Sequence, residues 1–341
     1  MPQHPPCLSL RQVRYTVGSA RQTTGVREIL RGVDFTARRA EVTVLLGPNG
    51  AGKTTTLHCA QGLLRPSQGS VQLLGADPFR AGAELRARVG VMLQDGGLPQ
   101  SVPPRTLLQH VARLHRDPWP LEDLVERLDM AAFMTTSIRR LSGGQRQRVA
   151  LAASLIGHPE VVFLDEPSAG LDPQSRQMVF ELIKHLRSLG LGIVLTTHLL
   201  EEAQKLADSV FILKDGEVVR HGTVAELTAG RQRPEQERMT TPHDSGPSNT
   251  RNAAAGPAPR RLIFASPRTL TRDELGEAPF PVELDGSADN EPGARWAVSG
   301  LRTPADLGRV TSWWERISLM PAEVSFEART LEDVFWEVSA S

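Results

Sequence analysis

Gly47-Pro48-Asn49-Gly50-Ala51-Gly52-Lys53-Thr54 fits the spacing G-x-x-x-x-G-K-[ST]. An apolar run, Glu41–Leu46, leads into it, and a helical pattern, Thr55–Leu64, follows. That strand–loop–helix context makes the motif a phosphate cradle. Glycines let backbone N–H groups curl around phosphate oxygens. A helix starting near Gly52 adds its positive N-terminal end. Lys53 is expected to pair with the β- and γ-phosphates of ATP and to act in catalysis, and Thr54 to ligate Mg²⁺. Thr55 is grouped with the loop as a nucleotide contact.

Three further segments belong to the same chemistry. Val161-Val162-Phe163-Leu164 runs into Asp165-Glu166. A hard cation takes oxygen ligands, so Asp165 is expected to meet Mg²⁺, directly or through its ligands. Glu166, one residue on, is placed to polarise the attacking water as general base. Gln94 and His198 each follow an apolar run, Val89–Leu93 and Ile193–Thr197. Ligands of an open parallel sheet bind beyond the carboxyl ends of its strands. Both residues are therefore expected at the edge that carries the glycine loop, Gln94 as a catalytic group and Mg²⁺ ligand, His198 as a donor to the γ-phosphate. His58, His110, His158, His185 and His221 have no such setting and read as structural or surface residues.

Leu141-Ser142-Gly143-Gly144-Gln145 precedes a helix with Arg146 and Arg148 in its first turns. A hydroxyl, two glycine N–H groups and a helix N-terminus make a second anion site; an N-cap with a flexible turn is the competing reading. Two phosphate surfaces on one chain fit a twofold homodimer, in which each ATP lies between the glycine loop of one protomer and the Ser-Gly-Gly of its partner.

These residues need a frame of alternating strands and helices, which implies a parallel sheet covered on both faces. Strands are expected at Leu8–Tyr15, Val33–Thr36, Val71–Leu74 and Val89–Leu93, the last buried. Residues 103–140 read as helical, with apolar positions Leu107, Leu108, Val111 and Leu114, then Leu121, Leu124, Val125 and Leu128. A hairpin is expected around Asp215-Gly216. The nucleotide-binding domain is placed at 1–230, with a helical subdomain at about 95–150. A polar linker follows at 231–260. A small α+β appendage spans 261–341, where Trp313, Trp314 and Trp336 read as core rather than ligand platform.

Composition limits the partners. The chain has 341 residues, 40% of them apolar, and a formal net charge of zero. Without a long basic run, no nucleic-acid partner is expected. Cys7 and Cys59 fit no ligand or redox spacing, which suits a reduced cytosolic compartment. No run is long enough to span a bilayer, so a role at a membrane requires another subunit.

The ordered set resembles the ATP-binding subunit of ATP-binding-cassette (ABC) transporters over about residues 8–228. It is carried by Gly47–Thr54, Gln94, Leu141–Gln145, Val161–Glu166, Ser168-Ala169-Gly170-Leu171-Asp172 and His198. The resemblance implies a P-loop NTPase (ABC ATPase) α/β core with a parallel sheet, an antiparallel β part and a helical subdomain. It places Asp172 at the nucleotide and Tyr15, the only tyrosine, against adenine. It further implies a separately encoded integral membrane permease as partner and a position on the inner face of the cell membrane. Val91–Pro99, Leu195–His198 and Thr330–Phe335 look like the drug- and antibiotic-export branch, of the daunorubicin-resistance type, so that branch implies export of a drug-like or amphiphilic substrate. Lipids or other amphiphiles fit the same physics. The alternative is a soluble ABC ATPase of DNA repair, chromosome organisation or translation. Against it stand the two isolated cysteines, the lack of long coiled coils and the single cassette.

Overall fold

A computed structural model describes residues 5–17, 27–92, 97–197, 199–229, 260–284, 291–301, 303–328 and 330–340. The chain divides into two compact units, Met1–Val224 with Val338–Ser341, and Ala225–Glu337. Of the expected linker, only Arg260 lies among the described residues.

In the first unit, β1 (Pro6–Val17), β2 (Arg27–Arg38) and β4 (Gln68–Leu73) form an antiparallel sheet in the order β2-β1-β4. Both β1 and β2 run longer than the clean alternation suggested. Register shifts and a φ of +49° at Gln12 break the period of two, so the sequence pattern fades before the pairing does. Between β2 and β4 come β3 (Val42–Leu46) and α1 (Lys53–Ala60).

The larger sheet adds β5 (Val89–Met92), β6 (Val161–Asp165), β7 (Gly192–Thr196), β8 (Ser209–Lys214) and β9 (Glu217–Gly222), in the order β5-β6-β7-β3-β8-β9. All neighbours are parallel except β8 and β9. Strands β3 and β7 are buried at every position, and β6 at all but its last. Central strands of a covered parallel sheet are mostly apolar on both faces, hence their near-continuous apolar runs, interrupted by Thr43 in β3 and closed by Thr196 in β7. β5 corrects the expectation of a buried strand: it lies at the edge, and burial alternates along it. The β8–β9 turn places Asp215 and Gly216 at φ +48° and +81°, the primed geometry that matches strand twist. A Cβ on Gly216 would strike the carbonyl of Ile29, so glycine is required there.

Helices α2 (Ala83–Ala87), α3 (Pro104–Ala112), α4 (Leu121–Arg127), α5 (Gly143–Leu155), α6 (Pro173–Ser188), α7 (Leu200–Leu206) and α8 (Val224–Thr228) complete the series to residue 228. α3 ends before Leu114, whose N–H closes a tight turn onto Val111 and whose side chain is 71% exposed. That position is therefore not on the apolar stripe read from the sequence.

The second unit holds α8 from Ala225 on, β10 (Arg260–Ala265), α9 (Arg272–Gly276), β11 (Val282–Leu284), β12 (Arg295–Leu301), α10 (Pro304–Arg316), β13 (Glu323–Ala328) and α11 (Leu331–Ala340) as far as Glu337. Its antiparallel sheet has the order β11-β12-β10-β13. Trp313 and Trp314 are buried and meet Phe264 edge-on at 6.0 and 5.1 Å. The Trp313 indole N–H donates to the carbonyl of Glu274 at 2.9 Å, which satisfies the polar end of a buried ring. The Trp336 side chain lies outside the described ones.

Candidate functional site

Register fixes where the chemistry converges. Leu45 of β3 pairs with Thr196 of β7, and Thr196 pairs with Asp165 of β6. Gly47 and Glu166 therefore leave the sheet at the same carboxyl edge. Gln94 and His198, expected at this edge, lie outside the described residues.

The Gly47–Thr55 loop is shaped by close approach. A Cβ on Gly47 would collide with the carbonyl oxygen of Leu213, and one on Gly52 would come within 2.8 Å of Leu30 Cδ2. Gly50 and Gly52 sit at φ +83° and +105°, a region open to glycine at little cost. Pro48, Asn49 and Gly50 are exposed, whereas Ala51 and Gly52 are buried. The Ala51 N–H donates to Pro48 O at 3.2 Å, and Gly216 N–H to Ala51 O at 3.1 Å, which ties the loop to the β8–β9 turn. Lys53 is only 9% exposed, and its ammonium donates to the carbonyls of Gly47 at 2.7 Å and Pro48 at 3.1 Å. Burial pulls its pKa below the ordinary lysine value, against the opposing pull of Glu166 and then Asp165. Thr54 is exposed at the start of α1 and Thr55 half-buried. Thr56 is buried and bonds back to Gly52 O through both its N–H and its hydroxyl, at 2.8 and 2.9 Å.

Asp165 is half-buried, and its carboxylate accepts a hydrogen bond from the Thr196 hydroxyl. Burial raises its pKa above the usual value; the Thr196 bond opposes this, Glu166 reinforces it, and His58 and Lys53 oppose it. Glu166 holds a φ of +49°. A non-glycine residue in this region carries local strain of about 1–3 kcal/mol. Four backbone contacts hold it. Its N–H donates to Thr196 O at 3.1 Å and meets Thr196 Oγ1 at 3.2 Å, while its carbonyl accepts from Ala169 N at 3.1 Å and from Gln147 Nε2 at 2.7 Å. Thr196 and Gln147 were not singled out from the sequence. The only available signal for Thr196 was a hydroxyl inside an apolar run, which needs a buried partner.

Ser142 and Gln145 form a capping box on α5: Gln145 N donates to Ser142 Oγ at 3.2 Å, and Ser142 N to Gln145 Oε1 at 2.9 Å. Ser142 and Gly143 are exposed at this helix start. A Cβ on Gly144 would lie 3.0 Å from Leu171 Cδ2, so the first turn of α5 rests on the 166–172 segment. Asp172 caps α6 by accepting from Ser175 N and Oγ at 2.9 and 2.6 Å, and these bonds lower its pKa. Tyr15 is half-buried on β1, paired with Leu30 and packed against the core. Among the described residues no His, Cys, Asp and Glu side chains group as an all-protein metal site. Thr54 and Asp165 offer the oxygen donors that a hard cation takes.

A glycine loop opening a helix, with two carboxylates at the same sheet edge on β6, one strand removed from β3, defines a P-loop nucleotide hydrolase. The family model described as ABC transporter matches residues 30–169. The daunorubicin resistance ATP-binding protein DrrA3 of Streptomyces coeruleorubidus is 40% identical over 219 residues, 63% of this chain and 69% of that protein. The ABC transporter ATP-binding protein NatA of Bacillus subtilis (strain 168) is 36% identical over 208 residues, 59% of this chain and 85% of that protein. A solved ATP-binding subunit of an ABC transporter superposes with a TM-score of 0.58 at 25% identity, covering 65% of this chain and 91% of that one. A dimeric ATP-binding cassette in a post-hydrolysis state, bound to ADP and Pi, gives 0.56 at 25% identity over 63% and 98%. The chain belongs to the ABC transporter family, as an ATP-hydrolysing subunit. Relatives named as daunorubicin or doxorubicin resistance ATP-binding proteins are 33–40% identical, which bears out the resemblance to the drug-export branch.

Proposed function

We propose that two copies of this chain clamp two ATP molecules and drive export of a drug-like or amphiphilic substrate through a separately encoded membrane permease. Gly47–Thr55 binds the phosphates, with Lys53 on the β- and γ-phosphates and Tyr15 at the adenine. Ser142, Gly143, Gly144 and Gln145, with Asp172, meet the nucleotide held by the other protomer. Thr54, Asp165 and, outside the described residues, Gln94 hold Mg²⁺, which when bound neutralises phosphate charge. Glu166 accepts the proton of the attacking water, and His198 donates to the γ-phosphate. Loss of that phosphate releases the two halves.

The observation that supports this reading most is the ladder Leu45–Thr196–Asp165, which brings Lys53, Asp165 and Glu166 to one sheet edge. Among the described residues no helix is long and apolar enough to cross a membrane, which suits a peripheral subunit on the inner face of the cell membrane. The drug-resistance names of the relatives support a cargo of that class. Glu166→Gln is expected to bind ATP normally, to lose turnover by at least about a hundredfold and to accumulate as an ATP-bound dimer on size-exclusion chromatography. Full turnover by that variant rejects Glu166 as the base. Recovery of an integral membrane protein with the tagged chain from membranes tests the transport assignment; recovery of none rejects it.

A further inference from the structure

We infer that Gln147 is a positioning residue for Glu166, and that it links the candidate base to the first turn of α5. The inference rests on the reading of Glu166 as base. Gln147 lies in α5, two residues beyond the Ser142–Gln145 capping box. Its Nε2 donates to the Glu166 carbonyl at 2.7 Å. The other contacts to that peptide come from nearby strand or turn: Thr196 on β7, and Ala169 three residues along. Gln147 supplies a contact from the helix whose start carries Ser142–Gly144.

Two facts make this more than a surface contact. Glu166 holds its left-handed φ of +49° only while its surroundings fix it, so a lost bond lets the peptide relax toward ordinary geometry. Rotation of that peptide swings the carboxylate, and proton transfer tolerates little displacement. The second fact is Gly144, whose would-be Cβ lies 3.0 Å from Leu171 Cδ2. The first two turns of α5 and the 166–172 segment therefore meet at two points, an apolar one at Gly144 and a hydrogen-bonded one at Gln147. A shift of the Ser142–Gly144 turn reaches Glu166 through Gln147. In the proposed dimer, the state of one nucleotide site would then bias the base of the other.

The test compares Gln147→Leu, which keeps bulk but removes the donor, with Gln147→Lys, which restores one, in the full chain. Gln147→Leu is expected to lower kcat about tenfold, the effect of one lost hydrogen bond to a positioned group. The KM for ATP should stay within about twofold, because the phosphate loop is untouched, and the melting temperature should fall by no more than about 2–5 °C, the effect of one lost hydrogen bond. Gln147→Lys should recover at least half of the lost rate. Turnover by Gln147→Leu within twofold of the unsubstituted chain overturns the proposal, as does a rate loss that tracks lost stability and resists Gln147→Lys. Glu166→Gln is measured alongside. If it is inactive while Gln147→Leu is normal, only the present inference falls; if it turns over fully, the reading of Glu166 falls and takes this one with it.

Discussion

Asp165, proposed to meet Mg²⁺, shows how burial acts on a single carboxyl. Its carboxyl is half-buried and titrates above the ordinary range, chiefly through burial. A raised carboxyl pKa means that the folded state holds the proton more tightly than the unfolded one. The associated stability is fully present below about pH 4, the unfolded value, and is lost as pH rises through the folded pKa. Asp165→Asn, whose amide oxygen can still accept from Thr196, removes this cost. Without nucleotide it is expected to melt about 2–4 °C higher at pH 7, with the gap closing below about pH 4, while Mg²⁺-dependent ATPase activity falls at least about a hundredfold. Calorimetry and a phosphate-release assay check both parts. A melting point that drops at pH 7 would count against burial as the dominant cause.

At the scale of elements, the opposite end of the sheet is held by charge. Glu160, just before β6, pairs with Arg88, just before β5, and with Arg39, just after β2. The Arg88 hydrogen bond leads in pulling its pKa down to about 2. A depressed carboxyl pKa contributes stability above the unfolded value near 4.5 and loses it as pH falls toward 2. Both arginine side chains are more than one-third exposed, so solvent screening weakens the network. Glu160→Gln is expected to cost about 1–2 kcal/mol at pH 7. The deficit should narrow below about pH 4.5 in urea melts at pH 7, 5 and 3. A deficit that does not change with pH would mean packing, not charge, is lost. The element pattern is legible in the sequence where a run is locally uniform: β3, β6 and β7 announce themselves by near-continuous apolar sequence, Thr43 of β3 apart. β1 extends beyond its sequence pattern because its bulged register hides the alternation. β5 resembles a core strand in sequence because two valines and a methionine carry no mark of a sheet edge.

At the scale of the whole molecule, the two-copy arrangement makes the prediction most easily refuted. Ser142 caps α5 and Gly143 lies exposed beside it, free for a second copy to approach. In a dimer built from one Ser142→Arg protomer and one unsubstituted protomer, photolabelling by an azido-ATP analogue should be impaired on the unsubstituted protomer, about tenfold or more, and spared on the substituted one. A defect confined to the substituted protomer rejects shared sites.

What the sequence determined by itself is contiguous chemistry: the glycine loop, the strand ending in two acids, the Ser-Gly-Gly helix start and the family they specify. These are legible because each is a short covalent string whose spacing is its geometry. Tertiary structure alone decided how the strings are held. Thr196 reaches Asp165 across 31 residues, Gln147 reaches Glu166 across 19, and Glu166 adopts a left-handed backbone. A hydrogen bond between two elements leaves no periodic trace in either, so folding the sheet was needed to reveal which side chains position the acids.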